Sequence, residues 1–219
     1  MFGMKQAKVG LNSRVLLDSC KAVEFHGYKT MAYEIGVDVS KWQTPEKVDW
    51  RKLRDEAGVR FVIARHSYGL QVDSTFWRHG WAAMRAGGIT VSGYQYLVAN
   101  RSAAEQASLA IPIAKQLEEP YVLDVEGEGL TKKHIDEWLT VFIRSGLTPM
   151  IYCSRSSWQR CYGSGAHPWG HLPLWVANYT NAATPAMPEG WSHWVLWQFT
   201  SKAQLAGYKG DLDCNRRRL

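Results

Sequence analysis

Residues 121–128 read Tyr-Val-Leu-Asp-Val-Glu-Gly-Glu, an apolar run that ends on two carboxylates one residue apart. In a strand, residues i and i+2 face the same way, about 6.6 Å apart along the backbone at about 3.3 Å per residue, so Asp124 and Glu126 share a face. Two more acids sit in similar settings: Asp38 in Gly-Val-Asp-Val-Ser (36–40) and Asp213 in Gly-Asp-Leu-Asp-Cys (210–214). Carboxylates at the ends of apolar strands are costly to bury unless they are paired, hydrogen-bonded or protonated. Neighbouring carboxylates raise each other's pKa, because two like charges cannot both ionise cheaply. One then stays protonated near neutral pH and can act as a general acid, while another stays ionised. Hydrolysis of a glycosidic bond needs that division of labour. The bland alternative for any one of these residues is a hydrogen-bonded acid that caps the next helix. Metal ligation is the other functional reading, but no His clusters with the acids along the chain, so neither a metal nor a cofactor is expected.

The aromatic residues point to a sugar. Of the 11 Trp and 10 Tyr, several stand at the ends of apolar runs: Tyr94, Tyr96, Tyr152, Trp175, Tyr179 and Trp197. Pyranose rings have apolar faces that stack on aromatic rings, and Tyr and Trp add a polar tip. Tyr94, Tyr96, Trp175, Tyr179 and Trp197, with Asp213, are the expected substrate contacts. Trp81 and Trp138 fall on helical patterns and are expected to pack the core.

Short apolar runs must position these side chains. Eight segments read as strands: 35–39, 60–65, 90–96, 121–126, 148–153, 174–177, 194–199 and 210–214. Helical periodicity separates the early ones, over 48–57, 74–86, 103–117 and 131–145, with Ile135, Trp138, Leu139 and Phe142 on one face of the last. Gly58, Gly87-Gly88 and Gly146 follow these segments, where helix C-termini favour glycine. Strand and helix in alternation imply right-handed crossovers and a parallel sheet. The expected fold is an α/β protein, an irregular TIM-like (β/α) barrel of eight strands with few helices in the last third. Active sites of such barrels form at the C-terminal ends of the strands, where Asp38, Asp124 and Glu126 fall. Residues 1–33 are polar and weakly periodic and read as an N-terminal extension; 34–219 read as the barrel domain.

A net charge of +6 favours polyanionic partners, whether nucleic acid, anionic lipid or anionic cell-wall polymers, and general solubility is the bland reading. No nucleic-acid motif and no membrane-span-length apolar run is present, and the first residues lack the continuous apolar segment of a secretory signal. The four cysteines, Cys20, Cys153, Cys161 and Cys214, have no CxxC spacing. Cys153 and Cys161 could pair, but free thiols are expected, with Cys153 a buried structural one.

In order and spacing, the segments 36–43 (GVDVSKWQ), 49–50 (DW), 121–127 (YVLDVEG), 149–154 (PMIYCS), 174–179 (LWVANY), 197–200 (WQFT) and 211–215 (DLDCN) together resemble the family 25 glycoside hydrolases, the bacterial and phage lysozymes that act as N-acetylmuramidases. The resemblance implies an irregular eight-stranded α/β barrel that hydrolyses the β-1,4 bond between N-acetylmuramic acid and N-acetylglucosamine in peptidoglycan. It implies Glu126 as general acid, Asp124 as its partner carboxylate, Asp38 and Asp213 as the other acids of the cleft, and Tyr94, Trp175 and Tyr179 as substrate contacts. Two segments depart from the family pattern. Arg65-His66-Ser67-Tyr68-Gly69 lacks an acid that the family often carries, and Gln95 stands where the family often has His. The expected setting is a bacterial wall, reached by phage lysis or on a virion, with residues 1–33 as the contact to virion proteins. The rival readings are a barrel that grips glycan, or plugs a virion, without cutting, and a related glycosidase acting on chitin-like polymers.

Overall fold

The computed structural model describes residues 33–219. The extension expected over 1–33 therefore lies, apart from Tyr33, outside the described residues. Nine strands form one sheet: β1 (Tyr33–Val39), β2 (Val59–Tyr68), β3 (Gln71–Val72), β4 (Thr90–Tyr96), β5 (Val122–Asp124), β6 (Met150–Cys153), β7 (Leu174–Ala177), β8 (Leu196–Ala203) and β9 (Leu212–Arg218). Eight of them close into a barrel in the order β1-β2-β4-β5-β6-β7-β8-β9, with β1 bonded to both β2 and β9. The short β3 folds back on β2 as a hairpin outside the ring. The expected eight-stranded barrel is thus what forms, with one difference: β9 runs antiparallel to both β8 and β1. No helix separates β8 from β9, and a parallel return needs a long crossover, so a short connection reverses the chain.

The helices are α1 (Trp50–Asp55), α2 (Phe76–Ala86), α3 (Ala103–Ala114), α4 (Lys132–Arg144) and α5 (Arg155–Cys161), with one 3-10 turn at Pro45–Lys47. Helix α4 buries the Ile135, Trp138, Leu139 and Phe142 face that its periodicity predicts. Helix α5 is the one helix that follows residue 154 among the described residues, in keeping with the few helices expected in the last third, although no periodicity locates it. Its seven residues carry too few apolar positions to show a period, and its start is local chemistry. The Ser154 hydroxyl accepts from the Ser157 N–H, and the Ser157 hydroxyl accepts from the Ser154 N–H. None of the described helices is long and apolar enough to cross a membrane.

Alternation along the strands makes two cores. Outward side chains, such as Val37, Val39, Val62, Ala64, Leu123 and Ile151, pack under the helices. Inward ones, Phe61, Ile63, Val122, Met150, Tyr152, Trp175 and Leu196, fill the barrel. Cys153 and Cys161 are buried free thiols, and the Cys214 side chain is buried as well. Gly36 is register-matched to Phe61, and a Cβ at Gly36 would meet the Phe61 ring. Gly36→Ala should therefore cost about 1–3 kcal/mol by overpacking. Urea denaturation would measure this, and Phe61→Leu in the same chain should recover part of the loss.

Candidate active site

The acids converge because of strand direction. Asp38 lies one residue before the end of β1 and is register-matched to Asp213 near the start of β9. A start on the reversed strand is a finish on the others, so both acids lie at the C-terminal mouth of the barrel. Asp124 closes β5, between Tyr96 on β4 and Tyr152 on β6. The strand was expected to run on to Glu126. It stops two residues earlier, after which the Val125 N–H donates to the Tyr152 carbonyl (2.8 Å). Glu126 thereby leaves the ladder and stands exposed at the mouth. An Arg160 guanidinium N–H from α5 clamps its backbone carbonyl at 2.7 Å.

Asp38, Asp124, Glu126 and Asp213 line one cleft of about 180 Å³ together with Tyr94, Tyr152, Trp175, Tyr179 and Gln198. All four sequence-predicted acids thus meet, as do Tyr94, Trp175 and Tyr179. Tyr96 sits at the rim, stacked on Tyr68 with ring centroids 4.7 Å apart. Trp197 does not face the cleft and is corrected here. It lies on the outer face of β8, 1% exposed, where its indole N–H donates to the Asn178 carbonyl (2.7 Å). Its neighbour Gln198 takes the inward position, since successive strand residues point to opposite faces.

Gln198 and Asn215 are residues that sequence reasoning leaves out of the site, and Tyr152 stands there only as a strand-end aromatic, not as an expected contact. They build its floor. The Trp175 indole N–H, which can only donate, donates to Asn215 Oδ1 (2.9 Å). That orients the Asn215 amide so that its Nδ2 donates to Asp38 Oδ2 (2.8 Å). The Tyr152 and Tyr179 hydroxyls both donate to Gln198 Oε1 (2.8 Å each), leaving Gln198 Nε2 to donate to the same Asp38 oxygen (2.9 Å). Asp38 is held by two amides whose orientation is set by aromatic side chains. The available signal was a lone polar side chain, Gln198, between Trp197 and Phe199 in an apolar run. Gln95, the other departure from the family pattern, faces away from the cleft. It accepts from the Trp138 indole N–H (2.7 Å) and donates to the Ser67 hydroxyl (2.8 Å).

Asp124 is 3% exposed, and its Oδ1 has no hydrogen-bond partner among the described residues. Burial pushes its pKa well above the usual carboxylate range, Glu126 and Asp38 add to the rise, and Arg65 opposes it. Arg65 is itself buried and bonded to Asp73 (2.7 Å). Burial also raises Asp38 strongly, with repulsion from Asp213 and Glu126 added and the two amides opposing. Desolvation raises Glu126, against Arg160, and this direction holds although solvent reaches its side chain. Asp213 is pushed up to about 6, by burial first and Glu126 second. Burial raises Tyr94 and Tyr152 well above the usual phenol value, so both stay protonated donors.

These shifts share a sign with a consequence for stability. Each acid holds its proton to a higher pH in the folded state than in the unfolded one. The folded state therefore binds more protons across that window, and stability falls as pH rises through it. For Asp213 the window runs from about 4, the unfolded value, up to about 6. The midpoint of thermal unfolding should rise as pH is lowered from 7 towards 4.5, and Asp213→Asn should flatten that rise. A wild-type midpoint that falls steadily over the same range would contradict the shifts.

The chain is similar to known proteins in sequence and in fold. The chain is 25% identical to Lysozyme M1 of Streptomyces globisporus, over 83% of this chain and 66% of that protein. It is 24% identical to the N,O-diacetylmuramidase of Arthroderma benhamiae, over 81% and 83% of the two chains. The crystal structure of the bacterial lysozyme from Streptomyces coelicolor superposes with a TM-score of 0.71 at 25% identity, covering 84% of this chain and 91% of that one. The family described as Glycosyl hydrolases family 25 matches residues 37–208, nearly the whole barrel and all of its cleft acids but Asp213, and the chain belongs to that family.

Proposed function

We propose that the protein is a muramidase, a lysozyme that hydrolyses the β-1,4 bond between N-acetylmuramic acid and N-acetylglucosamine in peptidoglycan. One observation carries this reading: four carboxylates, on β1, on β9 and at the end of β5, meet in one aromatic-lined cleft with graded exposure. Glu126, at the mouth and with a raised pKa, is the general acid that protonates the leaving oxygen. Asp124, buried behind it, has an oxygen that awaits a donor. The N–H of a sugar's acetamide supplies one, which orients the acetyl oxygen towards the anomeric carbon and favours a substrate-assisted route. Asp38 and Asp213 hold the opposite wall, and Tyr94, Tyr96, Trp175 and Tyr179 contact the sugars.

Product analysis on purified peptidoglycan tests the reading. After borohydride reduction and acid hydrolysis, new ends should appear as muramitol. Glucosaminitol would mean the other glycosidic bond is cut, and cleavage of soluble N-acetylglucosamine oligomers in preference to peptidoglycan would mean a chitin-like substrate. No new ends on several wall types would favour a barrel that only grips glycan.

The setting we propose is a bacterial wall attacked by a phage lysin, freed at host lysis or carried on the virion through residues 1–33. The charge of +6 supports attraction to anionic wall polymers. Cosedimentation of the protein with purified virions would separate the two routes.

A further inference from the structure

One level of the barrel is aromatic on both sides of Asp124. Tyr68 on β2, Tyr96 on β4, Asp124 on β5, Tyr152 on β6 and Trp175 on β7 are register-matched, each to the next. Tyr152, Asp124 and Trp175 line the cleft; the β2 end of the row lies beyond it. There the register shifts between Arg65 and Ser67, and Tyr68 comes out 47% exposed. Its ring nonetheless stacks on Tyr96, within 14° of parallel.

The backbone on either side of Tyr68 is held from beneath. The Gly69 N–H donates to the Tyr96 carbonyl (2.9 Å), and Gln95 Nε2 donates to the Gly69 carbonyl (3.0 Å) as well as to Ser67. Gln95 and Ser67 are fully buried. A buried polar network thus holds the base of the β2–β3 hairpin, which presents a stacked aromatic pair at the surface. Holding exposed side chains in one orientation costs entropy that a core does not require, and such preorganisation favours a ligand. The position suits a strand-like ligand. Around the ring of eight strands, β2 lies across from β7, which leads to the exposed Tyr179, and β4 lies across from β8. A chain from one side to the other passes between Asp38 with Asp213 and Asp124 with Glu126.

We propose that Tyr68 and Tyr96 form the stacking wall of a further sugar subsite, which takes a pyranose ring of the glycan strand beyond the two rings at the cleaved bond. This rests on the muramidase reading and specifies how far the binding site extends. Tyr96 faces the cleft side; Tyr68 supports it and lengthens the wall.

The test measures binding of soluble, uncrosslinked glycan strands and of the minimal disaccharide to protein carrying Glu126→Gln, alone and with Tyr68→Ala or Tyr68→Phe. Tyr68→Ala should weaken binding of long strands about tenfold, the size of one lost stacking contact. Disaccharide binding should stay unchanged, and Tyr68→Phe should keep the affinity for long strands. In the otherwise wild-type enzyme, Tyr68→Ala should raise KM on long strands and leave kcat alone. Unchanged long-strand affinity in a variant with a normal thermal midpoint overturns the subsite while leaving cleavage intact. An equal loss on the disaccharide also overturns it, because the hairpin would then be shaping the central cleft. If wild-type protein cuts no peptidoglycan and the Glu126→Gln form binds no glycan, the muramidase reading falls and takes the subsite with it.

Discussion

Glu126→Gln should lower kcat on peptidoglycan by about 10²–10⁴-fold, the usual contribution of a positioned general acid. The amide keeps the shape and the hydrogen-bonding capacity of the side chain but has no proton to transfer. KM should hardly move, because a residue exposed at the mouth contributes little to ground-state packing. The fold should not suffer either. The clamp from Arg160 is on the Glu126 backbone carbonyl, which the substitution retains. The pH profile sharpens the expectation. A general acid must be protonated to begin the cycle, so wild-type activity should fall as pH rises through the raised Glu126 pKa. That descending limb should disappear in the residual activity of the variant. Reducing-end assays across pH give both numbers. If the variant keeps more than about a tenth of wild-type activity, another group supplies the proton, and Asp213, pushed up to about 6, is next in line.

Asp124→Asn should cost about 10²–10³-fold in kcat, the scale for losing one preorganised electrostatic contact in a closed site. The substitution should also raise the thermal midpoint near neutral pH. A buried carboxyl with a raised pKa opposes folding once it must ionise, and a neutral amide removes that penalty. Activity and stability should thus move in opposite directions at one atom, Oδ1, which has no partner among the described residues. A drop in both would mean that Asp124 is held by contacts that the amide breaks. The substrate-assisted route adds a chemical control: N-deacetylated peptidoglycan should resist the wild-type enzyme. Trapping a glycosyl ester on Asp124, with retained anomeric configuration, would instead make Asp124 the nucleophile.

Much of this arrangement is legible in the sequence. Strands β4 and β7 begin and end where their apolar runs do, and the Asp-x-Glu spacing already put two acids on one face. Three of the features that are not legible have distinct physical reasons. The direction of β9 depends on the absence of a helix before it, which periodicity reports poorly. Helix α5 is set by reciprocal serine caps over seven residues, too few for a hydrophobic period. The exchange of Trp197 for Gln198 reflects a barrel wall apolar on both faces. Alternation fixes which residues share a face there, but not which face is inside. That choice is made by Asp38, whose amide partners lie 160 and 177 residues away.

Those separations bear on how the enzyme comes into being. Asp38 is on the first strand of the barrel, and the amides that orient it are on the last two. The seam between β1 and β9 runs from the Tyr33–Arg218 pair to the Asp38–Asp213 pair. Contacts so distant along the chain are slow to form, because a long loop must close before any energy is returned. A ribosome-bound chain that has not yet released residues 212–218 lacks Asp213, Asn215 and the seam, whatever its other strands have done. Hydrolytic competence therefore waits for residues 212–218, and any shorter stretch of this barrel is inert however well its other strands have formed.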